Sequence, residues 1–219
     1  DLEELASTIS LLANASGLTT LPDIKSSDFG IEDVPDIDWL QQSIEAFPPF
    51  SIGRFVIYST HSKDSIALVP DQIGLEINAT TAFGTGKHPT TEGCLLALEH
   101  IHARGVVPDT VLDMGCGTAI LAIAAARLWP EAEILGIDND PGSIPVANEH
   151  IEMNGVSNCR AVVGQGFQSS DIEERGAPPH FDLILANILA TPLKQMAKDL
   201  AGNLKNDGYA VLSGLLQSQ

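Results

Sequence analysis

Hydrophobic positions along this chain follow two rhythms. The first is loose. Leu2, Leu5, Ile9 and Leu12 recur at helical spacing, which predicts one amphipathic helix within residues 1–22, stopped by Gly17. Residues 23–38 are rich in Asp, Ser and Pro and predict a linker. From Asp38 the pattern predicts a short helix through Trp39 and Ile44, ended by Pro48 and Pro49. Two apolar runs, Phe55–Tyr58 and Ile73–Ile77, predict strands.

The second rhythm starts near residue 89 and is regular. It predicts a helix from about Pro89 to His102, a strand Thr110–Asp113, a glycine turn, and a helix from about Ala119 to Leu128. Strand Ile134–Asp138 leads to a helix over Ser143–Met153, terminated at Asn154-Gly155. Strands near Ala161–Val163 and over Phe181–Ala186 follow. A helix from about Pro192 to Leu204 precedes a strand Tyr209–Leu212. Strict strand–helix alternation implies right-handed crossovers and a parallel sheet. The expected fold class is α/β, a doubly wound and mostly parallel sheet with a short N-terminal helical piece and a linker.

Composition narrows the class. The chain has 219 residues, and its hydrophobic content is 44%, enough for a real core. No apolar run reaches the roughly 18 residues of a membrane span. The first residues are acidic, unlike a signal or transit peptide, and the absence of an initiator Met suggests a trimmed start. Cys94, Cys116 and Cys159 lack paired spacing, which leaves a zinc site unsupported and points to reduced thiols in a cytoplasm. Acidic residues outnumber basic ones 29 to 11, for a formal charge of -18. Such a surface repels phosphate backbones and argues against direct nucleic-acid binding, while it attracts basic partners. The same acidity also serves solubility alone.

Four motifs carry chemistry. In Val111–Gly117 an apolar strand ends in Asp113, and Gly115 and Gly117 open the next helix. Ligands of open parallel sheets bind at the strands' carboxyl ends, where glycines admit a close backbone approach. A tight strand–helix turn would use the same glycines. Asp138 ends the next strand, where a carboxylate can accept both hydroxyls of a ribose in NAD or in an adenosyl cofactor. Two details favour the adenosyl reading. Ile120 stands where the dinucleotide fingerprint has its third glycine. Asp113 would repel a pyrophosphate and attract the ammonium of a methionine moiety.

The third motif, Phe83-Gly84-Thr85-Gly86-Lys87-His88-Pro89, fails as a P-loop because Thr81 and His88 replace required residues. Its glycines still suit backbone contact. His88 alone is more commonly structural than catalytic. In the fourth, the run Phe181–Ala186 delivers Asn187 to the sheet's carboxyl edge, where an amide offers an acceptor and two donors, or caps a helix.

The segments AFGTGKHPTTEGCLLALE, VLDMGCGTAILAIAAA, ILGIDNDPGSIPVANEHIEMNGV, FDLILANILATPL and VLSGLLQSQ together resemble the successive motifs of the ribosomal protein L11 methyltransferases, over residues from about 73 to 219. Residues 35–55 also resemble that family's linker and its entry into the catalytic domain. The resemblance implies a class I, Rossmann-like methyltransferase domain over 39–219, a linker over 23–38 and a partial substrate-recognition region over 1–22. It implies S-adenosylmethionine as methyl donor, with Thr91, Gly115, Asp138 and Asn187 as cofactor contacts, beside the Gly117 of the glycine turn. It makes Phe83, Gly84, Thr85, Gly86 and His88 the loop lining the cofactor and substrate entrance. The implied activity is methylation of amino groups, lysine side chains or the N-terminal amine, of ribosomal protein L11 in the cytoplasm, without metal, nucleic acid or membrane.

Asn187 is the expected catalytic residue, orienting the amine. Three departures stand out. The family usually has a third glycine at Ala119, where a small Ala should do little harm. Residues 1–22 are too short for the family's N-terminal domain, and the family continues past Gln219, so the sequence looks truncated or reduced. Another N-methyltransferase, or a non-catalytic cofactor-binding module, is the competing reading; an NAD-dependent oxidoreductase fits least.

Overall fold

The structure is a computed structural model and describes residues 2–15, 48–78 and 88–214, together with Lys25. The expectations for Gly17, for the linker over 23–38, for the helix through Trp39 and Ile44, and for Phe83, Gly84, Thr85 and Gly86 lie outside the described residues. The chain divides into two compact units, residues 1–38 and 39–219. In the first, helix α1 spans Leu2–Ala15 and carries Glu3 and Glu4 in its first turn, where negative charge suits the helix dipole.

The second unit holds two sheets. The smaller has order β1-β2-β3, with β1 over Phe50–Ile52, β2 over Phe55–Tyr58 and β3 over Ile73–Glu76. β1 and β2 form an antiparallel hairpin, and β2 and β3 run parallel. A two-turn 3-10 helix over Thr60–Ser65 lies between β2 and β3. Helix α2 covers Pro89–Ala103, and the alternation then proceeds through β4 (Thr110–Met114), α3 (Ile120–Leu128), β5 (Glu133–Asp138), α4 (Ser143–Met153) and β6 (Cys159–Val163). A one-turn helix α5 (Ser170–Glu173), strand β7 (Phe181–Asn187), helix α6 (Ala190–Asn203) and strand β8 (Leu204–Ser213) complete the described residues. The five later strands form one parallel sheet of order β6-β5-β4-β7-β8.

Side-chain alternation along the central strands splits the core into two layers. Val111, Ile134, Leu183 and Leu185 join α2, α3, α4 and the small sheet on one face. Leu112, Leu135, Ile137, Ile184 and Ala186 join Leu193 and Leu200 of α6 on the other. Strands buried on both faces explain the nearly continuous apolar runs in the sequence. β4 is central, and the chain order turns back across it, with β5 on one side and β7 on the other. In open parallel sheets such a reversal is where ligands bind, here at the carboxyl ends of β4, β5 and β7.

The sheet differs from the expected pattern at its edges. β1 is a strand although Phe50–Ile52 is only three residues between Pro49 and Gly53. β8 begins at Leu204 rather than Tyr209, because a register shift opposite Phe181–Leu183, with Asp207 at φ 65, absorbs the polar Lys205-Asn206-Asp207.

Candidate functional site at the sheet's carboxyl edge

The turn after β4 is built from backbone constraints. Gly115 lies at φ 74 and Gly117 at φ 53, both left-handed. A Cβ on Gly115 would stand 2.3 Å from Cγ2 of Ile188. The close approach at Gly115 is therefore to the residue following Asn187. The other side of Ile188 is equally tight: a Cβ on Gly214 would lie 2.1 Å from the Ile188 carbonyl oxygen. The ends of β4, β7 and β8 thus converge on one residue.

Asp138 ends β5 and reaches back to the turn. Its Oδ2 accepts from the Gly117 N–H at 2.9 Å, and its Oδ1 accepts from the Asp140 N–H at 3.0 Å. A carboxylate oxygen has at least two acceptor positions. Among the described residues each Asp138 oxygen takes one bond, which leaves room on both for a pair of vicinal hydroxyls.

Asp113, the acid near the end of β4, is buried. It is 1% exposed, and its Oδ2 accepts from the Ala122 N–H at 3.0 Å in the first turn of α3. Burial pushes its carboxyl up to about 7, opposed by the bond from Ala122 and assisted by the charge of Asp138. It lies under the turn rather than projecting beyond it, so its influence on a bound cation is that of a buried charge at short range.

Asn187 is the last residue of β7, and Leu189 occupies the N-cap of α6. The capping alternative for Asn187 is thereby replaced by a long-range contact. Its Nδ2 donates to Thr91 Oγ1 at 3.2 Å, 96 residues away in sequence. Thr91 is wholly buried in the first turn of α2. That bond uses one of the two amide N–H groups and fixes the amide's orientation, and among the described residues the amide oxygen is left as an acceptor. Ser213, at the end of β8, donates to the Thr90 carbonyl at 3.4 Å and closes the same corner.

His88 is the N-cap of α2. Its Nδ1 accepts from the Thr90 N–H at 3.3 Å and lies 2.7 Å from Thr90 Oγ1. This is a structural use of the ring, by which it helps start the helix that presents Thr91. Thr91, Gly115, Gly117, Asp138 and Asn187 thus all lie at the carboxyl edge of three adjacent strands. The thiols are not part of that chemistry. Burial pushes Cys94 up to about 11, Cys159 up to about 12, and Cys116 upward likewise, so none is a thiolate nucleophile near neutrality. Among the described residues no group of three or more His, Cys, Asp or Glu side chains could hold a metal ion, and no helix is long and apolar enough to cross a membrane.

The family model for ribosomal protein L11 methyltransferase (PrmA) matches residues 3–219. The chain belongs to the ribosomal protein L11 methyltransferase family. A relative of that name from Bradyrhizobium diazoefficiens is 43% identical over 183 residues, covering 83% of this chain and 60% of the relative. One from Agrobacterium fabrum is 40% identical over 190 residues, covering 86% and 62%. The chain thus spans about three fifths of the length of these curated relatives. A crystal structure described as a ribosomal protein L11 methylase from Lactobacillus delbrueckii subsp. bulgaricus superposes with a TM-score of 0.63 at 29% identity, over 77% of this chain and 80% of that one.

Within this L11 methyltransferase family member, Ala119 takes up the left-handed conformation at φ 63. The backbone there does call for glycine, and the methyl group carries a local conformational cost. Sequence reasoning also missed Ile188 as the residue gripped by two glycines. It missed His150, which is 1% exposed and bonded to backbone on both ring nitrogens. No side-chain pattern signals either residue, because their partners are a Cα approach and peptide groups.

Proposed function

We propose that the chain is the S-adenosylmethionine-dependent methyltransferase domain of an enzyme that methylates amino groups of ribosomal protein L11. One observation carries the reading. The amide of Asn187 is anchored through its nitrogen to Thr91, which leaves its oxygen as an acceptor beside the glycine turn and Asp138. Family membership supports the same chemistry.

The residues fit the adenosyl cofactor. The glycine turn supplies a close backbone surface, Asp138 retains an acceptor on each oxygen for a ribose diol, and the Asp113 charge suits an ammonium. Bound there, the cofactor supplies a methyl group on a sulfonium, open to in-line displacement by a nitrogen lone pair. The Asn187 oxygen accepts from the amine N–H and aims its lone pair; Thr91 keeps that amide from rotating. The acceptor must be neutral. A free lysine, with a pKa of about 10.4, is only on the order of 0.1% neutral near pH 7.4. Exclusion of water from the site raises that fraction, and positioning supplies most of the remaining rate gain. No general base is required, since the proton can leave to water. Phe83, Gly84 and Thr85 are proposed to line the entrance, on the strength of the family motif alone.

The acceptor reading also agrees with charge. At -18, the chain draws a basic ribosomal protein, mainly by speeding encounter. A cytoplasmic location follows from such a substrate. The test is transfer of radiolabelled methyl from S-adenosylmethionine to purified L11, for this chain and for a version extended to the family's full length. Labelled lysine or N-terminal amine is expected, with the extended version faster. Cofactor binding without labelled protein from either version would reduce the chain to a binding module.

A further inference from the structure

We propose that His150 is a positioning residue that couples the cofactor turn after β4 to the end of β3, so that occupancy of the turn is transmitted to Asn78. The inference rests on the cofactor reading above.

The imidazole lies inside α4 and makes two bonds, both to backbone. Its Nε2 accepts from the Asn78 N–H at 3.1 Å. Its Nδ1 lies 3.0 Å from the Thr118 carbonyl oxygen. A ring nitrogen that accepts from an N–H has no proton, so the other nitrogen must carry it and donate to Thr118. The ring is therefore neutral, in the Nδ1–H tautomer, and burial holds its pKa below the usual histidine value, against the opposing bond to Thr118 and the charges of Glu149 and Glu76.

Each partner lies at a sensitive place. The Thr118 carbonyl belongs to the peptide that enters Ala119, the left-handed residue at φ 63. The N–H of the same peptide donates to the Cys116 carbonyl at 2.8 Å. His150 and Cys116 thus fix the plane of one peptide at the end of the glycine turn. On the other side, Asn78 directly follows β3 and Ile77. The same stretch is gripped a second time by Asn154. Its Oδ1 accepts from the Glu76 N–H at 2.9 Å, and its Nδ2 donates to the Glu76 carbonyl at 2.8 Å. Arg127 of α3 in turn donates to the Asn154 carbonyl.

The two anchors differ in reach. Asn154 holds β3 to α4 and makes no side-chain bond to the turn. His150 alone among the described side chains bonds to both Asn78 and Thr118. A satisfied core histidine would have no reason to respond to ligand. A bridge from the turn would respond, because a shift of the Thr118 carbonyl changes the Nδ1–H bond and, through the ring, the acceptor at Nε2.

The experiment combines calorimetry with nitrogen-15 NMR of the imidazole, using S-adenosylhomocysteine as the probe. In the wild-type chain the ring is expected to report the neutral Nδ1–H tautomer, and its resonances are expected to shift on titration. His150→Leu, which fills the space but cannot bridge, is expected to raise the Kd about fivefold or more, and His150→Gln to recover part of the loss. Asn154→Ser should lower thermal stability with Kd within twofold of wild type. Wild-type imidazole resonances that do not move on saturation overturn the proposal, as does a folded His150→Leu chain with unchanged Kd. If His150→Leu does not fold, the wild-type resonances decide. Failure of the wild-type chain to bind at all refutes the cofactor reading itself, and the coupling with it.

Discussion

The two edges of the five-stranded sheet each carry a carboxylate tied to backbone, and they use it in opposite ways. At the amino edge, Asp182 Oδ2 accepts from the Asp109 N–H, the Thr110 N–H and hydroxyl, and Lys205 Nζ, all within 3.0 Å. Burial pushes that carboxyl up, but Lys205 and Thr110 outweigh it and hold it below the ordinary aspartate value. At the carboxyl edge, Asp138 takes one backbone N–H on each oxygen and has room for more. The amino edge also has a cavity of about 360 Å³, bordered by Val106, Val107, Pro108, Trp129 and Pro130. The Trp129 indole N–H beside it already donates to the Val106 carbonyl at 2.8 Å. Asp182 is neutralised by Lys205 and ties the start of β4 to β7 and β8, whereas among the described residues Asp138 bonds backbone N–H groups alone, one on each oxygen. Beside Asp138 stand the glycine turn and Asn187, the convergent polar groups that a ligand site requires.

If that contrast is functional, substitutions at the two edges must separate activity from stability. The largest effect is expected at Asn187. Asn187→Ala should lower kcat about a hundredfold, the scale on which misplacing a reacting group costs rate, with cofactor affinity little changed. Steady-state kinetics with L11 as acceptor checks this; a rise in cofactor KM at unchanged kcat would make Asn187 a cofactor contact only. Next comes the carboxylate pair. Asp138→Ala should weaken cofactor binding about tenfold or more, because bonds to a charged group contribute roughly 1.5–3 kcal/mol each. Asp182→Ala should leave that affinity unchanged and lower the melting temperature. Thermal unfolding beside calorimetry separates the two.

A smaller effect concerns pH. The folded-state pKa of Asp113, about 7, lies above its unfolded value. Its contribution to the stability of the free domain is therefore present at low pH and lost as pH rises through about 7. A bound cation favours the ionised form, so cofactor affinity should rise several-fold between pH 6 and 8. Asp113→Asn should flatten that profile, and a pH-independent wild type would remove Asp113 from the electrostatics of the site. The smallest effect belongs to Ala119→Gly. Relief of the left-handed backbone gains about 1–2 kcal/mol, but unfolded-chain entropy takes back about 0.4–1 and the lost buried methyl about 0.8. Chemical denaturation should find the variant within about 1 kcal/mol of wild type.

Much of the large sheet was legible because its strands are continuous apolar runs that end in an acid, a glycine or Asn187, and because α4 begins and ends where its pattern does. β1 and the early start of β8 were not. A three-residue strand has no period, and polar residues in a bulge carry no strand signal. At the site, the positions of Gly115, Asp138 and Asn187 followed from the rule that ligands meet parallel strands at their carboxyl ends. The Thr91–Asn187 bond and the Ile188 grip did not, since each joins segments far apart in sequence. Asp113 was legible as an acid at a strand end, but not as a buried one, because its partner is the backbone of α3.

We propose the carboxyl edge, with Asp138 at its centre, as the adenosyl cofactor site. The decisive measurement is calorimetric titration of S-adenosylhomocysteine into the wild-type chain and into Asp138→Ala, side by side. One equivalent is expected to bind to the wild type, with at least tenfold weaker binding by a variant whose circular dichroism is unchanged. Equal affinity in the two, or no binding by the wild type, would contradict it.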